Sequence, residues 1–116
     1  MLKVKGGWNK TPPPTISPSI WDIVWAAGIF EGEGSAFPRI KGKAGIQVSV
    51  CQNDPWILYK LRDRFGGTVS NPCKNRKSYT WWLFGPRAMG FLYTIFTFLS
   101  PRRKEQVKIA ILSRLT

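Results

Sequence analysis

Residues 20–34 read Ile20-Trp21-Asp22-Ile23-Val24-Trp25-Ala26-Ala27-Gly28-Ile29-Phe30-Glu31-Gly32-Glu33-Gly34, an apolar helix that runs out into glycines and two carboxylates. The C-terminus of a helix already carries about half an elementary negative charge, so acids belong at the other end. Glu31 and Glu33 therefore cost stability unless a cation compensates them. They are two of only six acidic residues, against eighteen Lys and Arg. Acids this scarce, set against a helix dipole, point to a divalent-metal site in a protein whose partner is a polyanion.

The rest of the composition agrees. A chain of 116 residues is one domain by size, and 43% apolar residues with six Trp are enough for a packed core. The net charge of +12 favours nucleic acid as partner over a merely solvated basic face. There is no His, and the two cysteines, Cys51 and Cys73, lack metal-binding spacing, so structural zinc is not expected. A disulfide between them stays open; reduced thiols in an intracellular protein are the simpler reading. The apolar run from Gly90 to Leu99 is too short for a bilayer. Lys3, Lys5 and Lys10 precede no apolar signal core. Neither export nor a membrane role is expected, and the protein is placed in whichever compartment holds its nucleic acid.

Residues 1–16, with Pro12-Pro13-Pro14, read as a flexible basic arm, either a free tail or a strand laid along phosphate. Residues 17–116 form the domain. Ser17-Pro18 supplies a cap and a first helical residue, and Gly32 and Gly34 end that helix. Ser35–Lys41 and Gly45–Cys51 read as strands turning at Gly42. In the second, Ile46, Val48 and Val50 alternate with Gln47, Ser49 and Cys51. Asp54-Pro55 opens a second helix through Trp56, Leu58, Tyr59, Leu61 and Phe65 to Gly66-Gly67. Thr68–Pro72 and Ser78–Phe84 make another strand pair around a basic loop. Gly85-Pro86 starts a third helix, Arg87–Leu99, and Ser100-Pro101 caps a fourth, Arg102–Leu115. The order α-β-β-α-β-β-α-α predicts an α+β fold with a four-stranded antiparallel sheet and helices on one face. Trp56, Trp81, Phe84 and the Gly90–Leu99 cluster are assigned to the core.

A helix apolar all round is buried on more than one side. Ala26-Ala27-Gly28 followed by Gly32 offers a small, flat surface of the kind that lets helix backbones approach closely. The simplest partner is the same helix of a second chain about a two-fold axis; a tight crossing within the chain is the alternative. The expected dimer interface is Trp21, Val24, Trp25, Gly28 and Gly32. It would bring both Glu33 side chains beside two helix C-termini. The Glu33 carboxylate and the Gly32 carbonyl are ligands suited to Mg²⁺ that keeps several waters.

Ala26 through Gly34, followed by Ser35-Ala36-Phe37, resembles the signature of the LAGLIDADG homing endonucleases, and the order of elements is similar over about residues 17–116. The family more often has Asp at both acidic positions. The resemblance implies that Glu33 binds the catalytic metal and that Glu31 is mainly structural. It implies that Gln52 orients the attacking water. Arg103, three residues before Gln106, would stabilise developing phosphate charge, with Lys104 able to take its place. A single motif implies a homodimer, intron-encoded, cutting both strands of a long near-palindromic DNA site. Mg²⁺ is the expected cofactor; Mn²⁺ should substitute, and Ca²⁺ should bind without supporting cleavage. The chemistry agrees: without His, and with no acid two residues before a Lys, a carboxylate-metal site is what remains for phosphodiester hydrolysis.

A curved antiparallel sheet can enter the major groove like a saddle, with alternate side chains at base edges. Its polar face would carry Ser35, Phe37, Arg39, Lys41, Lys43, Gln47 and Ser49 from the first hairpin. Ser70, Lys74, Arg76, Lys77, Ser78 and Thr80 would extend it in the second. Arg39 suits guanine and Gln47 suits adenine. Two other readings keep the scaffold without the cleavage: an RNA splicing cofactor of maturase type, or a DNA-binding protein. A third is a basic protein that coats nucleic acid without sequence preference.

Overall fold

Ser19 and Asp22 begin the first helix. The Ser19 amide donates to Asp22 Oδ2 at 3.0 Å, and the Asp22 amide donates to Ser19 Oγ at 3.2 Å. This reciprocal capping box opens α1, Ile20–Glu33. The start expected at Ser17 lies two residues early, because the box needs an acid three positions after the cap. Ser19 has Asp22 there; Ser17 has Ile20. Arg64 Nε lies 3.4 Å from the same Asp22 carboxylate. The Ser19 amide, with Arg64 adding to it, holds Asp22 below the usual carboxylate range.

The computed structural model describes residues 12–38, 45–70 and 77–113. Within them α1 leads into β1, Gly34–Pro38, followed by β2, Ile46–Gln52, and α2, Pro55–Phe65. Next come β3, Thr68–Ser70, β4, Tyr79–Phe84, and α3, Gly85–Ile95. A 3₁₀ turn, Phe96–Phe98, separates α3 from α4, Pro101–Ser113. The third helix thus stops short of the expected Leu99, tightening where the Leu99 amide reaches Phe96 O at 3.1 Å. Asp54 caps α2 through its Oδ1, 3.0 Å from the Trp56 amide.

The four strands make one antiparallel sheet in the order β1-β2-β4-β3. Alternation assigns its faces. Ile46, Val48 and Val50, opposite Trp81 and Leu83, turn toward the helices and are buried with Phe30, Leu58, Leu61, Leu92 and Ile95. Phe91 of α3 sits edge-on to Phe30, Phe65 and Trp81, and Trp81 Nε1 donates to Gly66 O at 2.8 Å. Gly67, at φ +99°, lets the chain pass directly under β4: a Cβ there would strike the Trp82 carbonyl. Gly34 likewise leaves room for the Phe30 ring.

Two expectations are corrected. Trp56 is 61% exposed and is not core; the Lys60 ammonium lies 4.3 Å from the Trp25 ring centroid and 5.8 Å from that of Trp56. The run 90–99 is divided: Phe91, Leu92, Ile95 and Leu99 are buried, while Tyr93 and Phe98 are exposed. Residues 12–16, counted with the arm by composition, lie along the end of α2. There Thr15 and Ile16 amides share Asp63 O at 2.9 and 3.0 Å, and the Gly67 amide donates to Pro12 O at 2.9 Å. The arm's first eleven residues, the turn at Gly42 and the basic loop 73–76 lie outside the described residues. Among the described residues no helix is long and apolar enough to cross a membrane.

Helices α1 and α4 exchange side chains at their ends. The Glu31 carboxylate accepts from the Ser100 amide at 2.9 Å and from Ser100 Oγ at 2.7 Å. Ser100 Oγ in turn accepts from the Arg103 amide at 3.3 Å, capping α4. Arg103 reaches back: Nε donates to Glu31 O at 2.9 Å and an Nη to Gly34 O at 2.8 Å. An acid thus sits at one helix's N-terminus and a cation at the other's C-terminus, each where the dipole favours it. The Ser100 amide, then its hydroxyl, hold Glu31 below the usual carboxylate range, and Arg103 and Arg102 add to the effect.

Ser100→Ala should cost about 1 kcal/mol, the usual loss for a helix cap, seen as a lower urea midpoint at unchanged slope. Because the folded pKa of Glu31 is depressed, its contribution is complete above the ordinary glutamate range and is lost as pH falls through the folded value. Glu31→Gln should therefore be less stable than the parent at pH 7, and the gap should close on acidification.

Candidate nucleic-acid interface and acidic helix end

The six acids can each be placed. Asp22 caps α1, Glu31 caps α4 and Asp54 caps α2; Asp63 pairs with Arg62 at 3.2 Å. Glu105 is exposed on α4 with no described partner. Glu33 is the remaining acid. It is exposed and has no partner among the described residues, the last residue of α1, directly before the first strand of the sheet. Five acids lie on helix surfaces or caps, and one is presented at the junction of helix and sheet.

The register brings Gln52 to the same junction. Gly34 opposes Val50 across β1 and β2, and Gln52 lies two residues further, where α1 enters the sheet. It shares the helix-side face with Val50 and is half-buried. Arg103 also arrives there, but its guanidinium is already bound to Glu31 O, Gly34 O and, at 3.1 Å, Gln106 Oε1. The cation that compensates the acidic helix end is therefore part of the chain itself. Lys104 turns away, its ammonium 5.6 Å from the Phe96 ring centroid.

Among the described residues no three His, Cys, Asp or Glu side chains gather as a metal site. At this junction the described residues offer one carboxylate, Glu33, beside the exposed Gly32. Oxygen donors of this kind fit a hard divalent cation, but one carboxylate is a fraction of a ligand set; a second copy would double it.

The sheet face turned away from the helices carries Ser35 and Phe37 on β1, Gln47, Ser49 and Cys51 on β2, and Thr80, Trp82 and Phe84 on β4. Thr68 and Ser70 of β3 oppose Trp82 and Thr80 on the same face. Ser35, Phe37, Gln47, Ser49, Ser70 and Thr80 are thus together, as their alternation predicted. Lys77 is exposed and Ser78 half-buried just before β4. Arg39, Lys41, Lys43, Lys74 and Arg76 lie outside the described residues. Phe84, assigned to the core from sequence, is on this open face, its ring parallel to Trp82 at 6.1 Å. The signal was present: with Trp81 inward, period two turns Trp82 and Phe84 outward. Ser100, partner of both Glu31 and Arg103, was read only as a cap.

The outward side of α1 is apolar. Trp21 is 79% exposed and Val24 43%, and a Cβ at Gly28 or Gly32 would meet nothing within 4 Å. Trp25 is half-buried beside Lys60. The small residues expected on one surface are divided, since Ala26 and Ala27 face the core.

By sequence, the chain matches no family model and no curated protein. By structure it is similar to solved homing endonucleases. One is I-CvuI in complex with the I-CreI target in the presence of Mg, with the DNA not cleaved: TM-score 0.69, 17% identity, covering 83% of this chain and 67% of that one. The archaeal intron-encoded homing endonuclease I-Vdi141I complexed with DNA gives a TM-score of 0.62 at 16% identity, over 76% of this chain and 64% of that one. The homing endonuclease I-TnaI gives 0.57 at 17% identity, over 86% and 74%. The chain spans about two thirds of the length of the first of these. It has the fold of the LAGLIDADG homing endonucleases.

Proposed function

We propose that the chain is a site-specific double-strand DNA endonuclease that works as a homodimer with a divalent metal ion. The observation that carries this reading is Glu33, the one acid left free at the junction of α1 and the sheet, in a chain of net charge +12. The DNA complexes and the Mg and Ca conditions of the structural neighbours support it.

In this reading the open sheet face lies in the major groove and the basic side chains neutralise phosphate. Glu33, with the Gly32 carbonyl, would hold Mg²⁺, with Mn²⁺ able to replace it and Ca²⁺ binding without turnover. When bound, the ion activates water and neutralises charge on the phosphate. Gln52 orients that water from the end of β2. Arg103 acts by fixing the carbonyls around Glu33 and by lending its positive charge from that fixed place; Lys104 is a reserve cation one residue on. The exposed apolar side of α1 is where a second chain packs, bringing the two Glu33 residues together.

The aromatic rings of the open face favour one other reading. Phe37, Trp82 and Phe84 could stack unpaired bases, as a splicing cofactor on this scaffold would require. Competition between a selected DNA duplex and structured RNA decides between them.

Glu33→Gln should lose cleavage by about a hundredfold or more while retaining DNA affinity, measured by nicking and gel shift on one selected site. A parent-like cleavage rate in this variant removes the metal role. Gly28→Lys should leave the single chain folded, since a side chain there meets nothing within 4 Å, but should abolish association. A sedimentation profile still dimeric would place the interface elsewhere.

A further inference from the structure

We infer that the groove between the end of α3, with its 3₁₀ turn, and the second half of α4 docks an acidic amphipathic helix of another protein. Tyr93, Phe96, Thr97, Lys108, Ile111 and Leu112 line it, around a volume of about 460 Å³. Phe96 and Ile111 form the floor, half-buried and packed from outside on the core. Tyr93, 62% exposed, and Leu112, 61% exposed, stand on the walls, one from each helix. None of the lining residues belongs to the exposed side of α1 or to the open face of the sheet. The groove is therefore separate from both surfaces used in the proposed function. Large apolar side chains this exposed, rimmed by charge, mark a surface that a partner covers.

The sign of that charge selects the partner. Lys104, Lys108 and Leu112 recur every fourth residue and share one side of α4. The Lys104 ammonium lies 5.6 Å from the Phe96 ring centroid, so two cations stand along one wall, and no acid lines the groove. The chain's own remaining segments are the wrong sign. All six acids lie among the described residues, while 1–11, 39–44, 71–76 and 114–116 each carry Lys or Arg and no acid. A second copy would approach with a net charge of +12. A nucleic acid would satisfy the lysines but give Ile111 and Leu112 no apolar partner, its outer surface being phosphate. A helix with apolar residues at three- and four-residue spacing and carboxylates beside them answers both features. Its apolar stripe would lie on Phe96 and Ile111 between Tyr93 and Leu112. The stems of Lys104 and Lys108 would run along it while their ammonium groups reach its acids.

A labelled synthetic helix of about sixteen residues, with leucines on one stripe and glutamates flanking them, would be titrated with the full chain by fluorescence anisotropy. Companion probes carry lysine in place of each glutamate, or serine in place of each leucine. The acidic apolar probe should bind about tenfold or more tightly than either companion. Lys108→Glu should weaken it about tenfold and narrow the gap to the lysine probe, whereas Leu112→Ser and Tyr93→Ser should weaken both. All three positions are exposed, so the variants should keep the parent's circular dichroism. Should one of the two serine variants unfold, the other carries the test. An excess of duplex DNA should leave the acidic probe bound. Equal binding of the serine probe, or release by DNA, assigns the glutamates to the chain's general positive field and overturns the docking site. An acidic probe that does not bind also overturns it. Loss of single-stranded RNA retention, or of self-association by sedimentation, in the groove variants would then name nucleic acid or a second copy as the occupant.

Discussion

The exchange between the end of α1 and the start of α4 is the contact on which the rest of the site depends. A helix that ends in Glu-Gly-Glu stacks two carboxylates on its own negative pole, a destabilising arrangement by itself. Glu31 escapes it by leaving the helix altogether and capping α4 through Ser100. Arg103, one turn into α4, returns a positive charge to the carbonyls that Glu31 left behind. Neither half works alone, since the cap that starts α4 also aims Arg103. Ser100 and Arg103 lie 69 and 72 residues beyond the Glu31 atoms they bind, so the two ends of the domain are closed on each other by charge-assisted bonds.

Closing the domain there fixes where the sheet begins. Arg103 holds the carbonyl of Gly34, the first residue of β1, so α1 cannot roll without breaking that bond. The phase of β1 follows, and through its pairing with β2 so does the phase of the whole sheet. A slip of one residue would carry Ile46, Val48 and Val50 to the open face and bury Gln47 and Ser49 against Trp81. The core thus enforces which side chains face outward, and the helix exchange enforces where their rows lie relative to Glu33.

Much of this was legible in sequence because it is local. The alternation of Ile46–Cys51, the Asp54-Pro55 start and the Gly66-Gly67 stop each depend on neighbours a few residues away, and each stands in the structure. What failed is what depends on distance along the chain. The bond that answers the acidic helix end was not legible, because its cation, Arg103, comes from another helix. Arg103 was assigned to phosphate with no sign of its bonds to the Glu31 and Gly34 carbonyls, for the same reason. Trp56 was assigned to the core by residue type, yet its position on α2 turns it outward beside Lys60. The apolar circumference of α1 divides into a buried and an exposed side, and helical phase, which sends Ala26 and Ala27 inward and Gly28 outward, needed to be counted residue by residue.

Arg103 changes the argument for a metal without removing it. With the helix dipole answered inside the chain, Glu33 does not need an ion for the fold to be stable; one exposed carboxylate among eighteen cationic side chains is tolerated in water. Its place as a bare acid at the sheet's entrance then has no structural reason, in contrast to Asp22, Glu31 and Asp54, each of which caps a helix. A phosphate approaching that corner would be repelled by Glu33 alone. Pairing of two chains would sharpen the repulsion by setting two such carboxylates together. Under the proposed function the divalent ion is therefore tied to the nucleic acid and the dimer, not to folding. The single chain should be indifferent to chelators, and its need for metal should arise only when a second chain and a phosphate backbone are both present.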